Sequence, residues 1–224
     1  MKTFTPAIKR QIITDWHALF PQMAVHRPMW LVRRVGPLVQ GICLERDSGN
    51  ASYLPTTCLH SLCRPFPGIS LTLGQPLLSA RSGTRDRIAV QFHEHHYHDA
   101  AQRLDRASLL PLTGNLTMHQ VLVAYRCYRE LCNPDSKYPV HLFEDGILLF
   151  AWRGHGDRAT ALLNDYVEEM RRWPENVMAR DGGLDSWRMK MLKDLAKPEV
   201  LRETVEAEAR KLKVSDVPIS QLIF

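Results

Sequence analysis

The chain changes its hydrophobic period once, near residue 92, and that change narrows the folds open to it. Between Trp30 and Phe92 the apolar residues come in short β-branched and leucine-rich runs, "MWLVRRVG", "PLVQGICLE", "ISLTLGQPLL" and "RIAVQF". Turn compositions such as "SARSGTRD" separate them, which suits an antiparallel sheet closed by short connections. "CLHSLC" reads as a short helical link between two strands. Ahead of this region Thr5 and Pro6 supply an N-cap and a first helical position. Ile8, Ile12, Ile13, Trp16, Leu19 and Phe20 then recur at helical spacing until Pro21 stops them.

Beyond residue 92 the pattern is mainly helical. Thr117 and Gln120 form a capping box ahead of Val121, Leu122, Tyr125 and Leu131, predicting a helix to about Cys132. In "YPVHLFEDGILLFAW" two apolar runs flank Asp145 and Gly146, the dipeptide favoured at two-residue hairpin turns, so a β-hairpin is expected there. Ala159, Leu162, Leu163, Tyr166 and Met170 mark another helix; Asp185 and Pro198 are placed to start the last two. The expectation is an α+β fold: an N-terminal amphipathic helix, a central mainly antiparallel sheet, and a mainly helical C-terminal half with one β-hairpin. A single composite domain over residues 1–224, with a soft boundary near 107–116, accounts for this order.

Composition excludes little but removes some classes. No apolar run approaches the roughly 20 residues a membrane helix needs, and the N-terminus lacks the continuous apolar centre of a secretory signal. Five cysteines, an odd number in a chain of 224 residues, suit reduced thiols and a cytoplasmic location better than a disulfide framework. The pairs Cys58/Cys63 and Cys127/Cys132 raise a four-thiolate zinc site. The absence of turn glycines and the helical setting of the second pair favour buried thiols instead.

The net charge of +5 is all accounted for by residues 1–40, where Lys2, Lys9, Arg10, Arg27, Arg33 and Arg34 stand with one acidic residue, Asp15. Such a region could face nucleic acid or an acidic protein, although no recognition helix or aromatic platform accompanies it. The strongest local anomaly is "QFHEHHYHDA", with His93, His95, His96 and His98 inside six positions. Imidazole is the commonest transition-metal ligand, so His93, His95, His98 and Asp99 are candidate ligands for a divalent ion. As a strand the segment divides its histidines between two faces; as a helix it fails the His-Glu-x-x-His pattern, because Tyr97 stands where the second histidine belongs. Further ligands would have to come from His60, His119 or His141.

No phosphate-binding glycine loop, nucleophile elbow or Cys-x-x-Cys motif is present. Three function classes follow. A non-enzymatic cytoplasmic interaction module with a protein partner, such as an inhibitor, adaptor or toxin-neutralising immunity protein, fits best and needs no cofactor. A metal-dependent hydrolase centred on residues 93–99 and a nucleic-acid-associated protein using the basic N-terminal region are the alternatives.

Overall fold

The computed structural model describes residues 3–49, 51–132, 138–179 and 182–224. The N-terminal helix forms as its cap chemistry dictates: the Thr5 hydroxyl accepts from the Ile8 backbone N–H, Pro6 opens α1 (Pro6–Leu19), and Ile12, Ile13 and Trp16 form its buried stripe. Five strands then lie side by side in chain order, each antiparallel to the next: β1 (Ala24–Arg27), β2 (Trp30–Val35), β3 (Leu38–Arg46), β4 (Ser52–Ser61) and β5 (Thr72–Pro76). The short β6 (Ile88–Ala89) pairs with the other end of β4.

The longest strand, β4, runs through "CLHSLC", so the helical link expected there is instead sheet as far as Ser61. A proline inside a central strand ordinarily argues against strand, because it cannot donate to the ladder. Here the gap is closed by chain from outside the ladder. The Pro55 carbonyl accepts from the Leu77 N–H, and the Leu77 carbonyl, which lacks a proline N–H to bind, accepts from Asp86 N–H instead. The "RIAVQF" run is also not one strand: only Ile88–Ala89 pair, and Val90–Phe92 form a 3-10 turn leading into α2 (His93–Ala107).

The second half begins with β7 (Leu116–Thr117) and α3 (Met118–Cys127), whose capping box from Thr117 and Gln120 is formed in both directions. A π-helical turn extends it over Tyr128–Cys132. There follow α4 (Val140–Arg153), α5 (Gly156–Met170), the single-turn α6 (Glu175–Met178), α7 (Leu184–Leu195) and α8 (Pro198–Lys211). Two short strands close the chain: β8 (Ile219–Ser220) runs parallel to β2, and β9 (Leu222–Ile223) parallel to β7. The hairpin expected at Asp145–Gly146 is absent, because those residues lie inside α4. Every residue from Leu142 to Leu149 is buried, so the helix shows no polar face to set a 3.6-residue period. Asp185 likewise lies inside α7, whose cap position is Gly183.

The sheet separates two cores. Leu31, Ile42, Leu44 and Tyr53 pack with Ile12, Trp16, Ala100 and Leu104 of α1 and α2. Val32 and Val39 pack with the helices of the second half, including Leu148, Trp187, Met191 and Val205. The segment between the halves is held against the sheet by Arg33, whose guanidinium donates to Gln40 Oε1, the Pro111 and Gly114 carbonyls and Ser220 Oγ. Among the described residues no helix is long and apolar enough to cross a membrane.

Candidate binding cleft

The histidine run begins α2 and therefore splits by helical phase. His93 turns inward and is buried, whereas His95, His98 and Asp99 are exposed. Asp99 is engaged by Arg103 Nε at 2.8 Å, and His98 lies beside Gln102 at 3.4 Å. His93 is occupied on both nitrogens: Nδ1 meets Tyr53 Oη at 2.8 Å and Nε2 meets Asp15 Oδ2 at 3.0 Å. Trp16 Nε1–H also donates to Tyr53 Oη. If His93 donated there too, the Tyr53 proton would have no acceptor in this chain. The arrangement that uses every donor has Tyr53 donating to Nδ1 and Nε2–H donating to Asp15.

This Asp–His–Tyr chain has the order of an activated hydroxyl, yet Tyr53 is fully buried and burial pushes its phenol well above the ordinary value. It ties α1, α2 and β4 together. Among the described residues no group of three or more His, Cys, Asp or Glu side chains is placed to hold a metal ion. His60 sits elsewhere, bonded to Ser70 Oγ at 2.9 Å, and His141 lies beside Arg64 and Glu144, so neither joins His93. Cys58 and Cys63 are buried, and burial pushes both thiols up to about 12; the Cys132 side chain lies outside the described residues.

The basic N-terminal residues divide in the same way. Arg33 is wholly buried and is lowered to about 10 by desolvation; Arg34 is nearly so and pairs with Glu206 at 2.9 Å. Neither guanidinium is presented to a partner, a correction that follows from their place inside β2. Lys9, Arg10 and Arg27 remain at the surface, Lys9 half-buried.

A cleft of about 530 Å³ lies between α7 and α8, and the Cys63–Pro65 turn closes its third side. Arg64 in its wall belongs to a buried ionic cluster. Arg64 donates to Glu144 Oε2 through Nη1 and to Asp145 Oδ1 through Nη2 at 3.0 Å; Trp187 Nε1–H donates to Glu144 Oε1 at 3.1 Å. Asp145, 2% exposed, is raised to about 6: burial is the first cause, opposed by Arg64 and reinforced by Glu144. Two adjacent carboxylates in mid-helix are therefore held by one guanidinium reaching from the sheet side.

Lys190, Lys193 and Lys197 stand around the cleft with a single lining carboxylate, Asp194; Met191 and Leu201 lie buried beneath it and Val200 is exposed at its edge. Steps of three and four residues put these lysines on one side of α7 and the turn after it. Lys190 Nζ is 3.8 Å from Glu144 Oε1; Lys193 and Lys197 have no ion-pair partner among the described residues. The lysine spacing is readable in "RMKMLKDLAK", but the closing contact from Arg64 to Asp145 spans 81 positions and has no local signal. The fold and cleft define a helix-flanked antiparallel sheet carrying a basic, amphipathic groove on its helical side. No protein-family model, curated protein or solved structure matches the chain.

Proposed function

We propose that the protein is a non-enzymatic interaction module, of the inhibitor, adaptor or immunity kind, acting on a protein partner. The observation that carries this is the contrast between its acid–base groups and its open surface. Asp15, His93 and Tyr53 satisfy one another in the interior, and Glu144 and Asp145 are clamped by Arg64. The open cleft instead offers Lys193 and Lys197 without ion-pair partners among the described residues, beside the exposed Val200, which supports a charged docking surface. A metal-centred hydrolysis on α2 has less support, since His93 spends both nitrogens internally.

The test is the native state of the protein in its source. At endogenous level it is expected to migrate as a stoichiometric complex with a second protein, identified by cross-linking and mass analysis. Migration as a free monomer at low and moderate salt overturns the reading.

A further inference from the structure

We propose that the cleft between α7 and α8 receives an acidic peptide segment of the partner, with carboxylates on the lysine rim and an apolar side chain against Val200. This deepens the interaction reading and rests on it. Three features of the cleft select that occupant.

Charge comes first. Arg64 is engaged by Glu144 and Asp145, and Lys190 reaches Glu144 at 3.8 Å, so the lining cations without an ion-pair partner among the described residues are Lys193 and Lys197 at the mouth. Both side chains are exposed, and the one carboxylate of the lining, Asp194, is itself raised by burial, with Lys190 as the main opposing influence. Additional negative charge supplied from outside is what this rim lacks.

Shape and polarity come second. Met191 is fully buried and Leu201 is 7% exposed, while Val200 at the edge is 48% exposed. An inorganic anion would leave Val200 wet; a peptide that alternates carboxylates with a leucine-sized side chain would cover it. The cleft volume of about 530 Å³ also exceeds what one anion fills.

The third feature separates peptide from nucleic acid. Single-stranded nucleic acid is held by aromatic platforms along a basic groove, and no Phe, Tyr, Trp or His lines this cleft among the described residues. Lysines present hydrated point charges suited to flexible carboxylates rather than the planar forks that grip phosphates in two places.

The experiment uses the full chain and a fluorescent synthetic peptide of glutamates with leucine at each helical turn. Binding is read by anisotropy, and its location by the two NMR methyl signals of Val200. The acidic peptide is expected to bind with an affinity that falls as salt is raised, and to shift both methyl signals. Lys193→Glu/Lys197→Glu is expected to weaken it roughly tenfold or more, since two attractions become repulsions. Both positions are exposed, so the fold is retained, which circular dichroism checks.

Four outcomes overturn the proposal: no binding up to millimolar peptide, equal binding by the glutamine version, full affinity in the double variant, or displacement by an oligonucleotide at lower concentration than by acidic peptide. If the native complex persists in any of these cases, the interaction reading stands and only the cleft assignment falls. If no complex exists in the source, the broader reading falls regardless of the peptide.

Discussion

Arg33 shows how one side chain can be read wrongly for a physical reason. In sequence it is one of six basic residues among the first forty; in the fold it has no carboxylate partner among the described residues and satisfies four neutral acceptors on three segments. A guanidinium can do this because its donors spread in a plane, whereas an ammonium is a point. Arg33→Lys is therefore expected to cost about 2 kcal/mol although the charge is kept, because buried acceptors lose their donors. Urea unfolding of the two proteins measures it, and an unchanged midpoint would show that the bonds are dispensable. The buried His93 teaches the same lesson. A residue type proposes several roles, and the partners on the other side of the core choose among them.

Elements were legible where their signals were local. Thr5 with Pro6 and Thr117 with Gln120 satisfy helix donors within one turn, and both caps form as the residues predict. The central strand β4 was hidden because Pro55 contradicts a ladder position, and only the remote Asp86 N–H supplies the missing bond. Helix α4 was hidden because it is buried all round and carries a turn-like Asp-Gly pair. Asp145 finds Arg64, and Gly146 leaves room for Leu122 and Tyr166, contacts that no window of sequence displays. The candidate cleft was half visible: the lysine spacing can be read from α7, but its walls cannot.

Close packing also sets a prediction for β3. A Cβ added at Gly41 would lie 3.0 Å from the Leu31 carbonyl oxygen and 3.2 Å from Cys58 Sγ. Backbone on one side and a buried thiol on the other give little freedom to relax. Gly41→Ala is expected to destabilise by about 1–3 kcal/mol, the range for overpacked sites, rather than gain from a stiffer unfolded chain. Thermal unfolding decides the sign.

Across the whole molecule two buried groups, both within the influence of Arg64, act in opposite directions on acid stability. His60 lies on β4 under the turn that carries Phe66, and desolvation lowers it to about 4 from an ordinary 6.5. As pH falls through 6.5 the unfolded chain takes up this proton before the folded one, so stability is lost progressively down to about pH 4. Asp145 has the reverse sign. Its folded value, raised to about 6 from 3.8, means that the folded state takes the proton first, and stability is gained as pH falls from 6 towards 4. Each effect is on the order of 3 kcal/mol, and the two windows nearly coincide, so in the native chain they largely cancel. Single substitutions should uncover them. With His60→Gln, which retains a partner for Ser70, stability relative to the native chain should rise as pH falls from 6.5 to 4. With Asp145→Asn it should fall over the same interval. Denaturant unfolding at several pH values reads the three profiles, in which all other groups supply a common background. Parallel profiles would mean that neither proton is withheld or retained by the fold. Opposite slopes, each approaching the stated size, would show that the sheet side and the helical side of one core set the acid response by compensation.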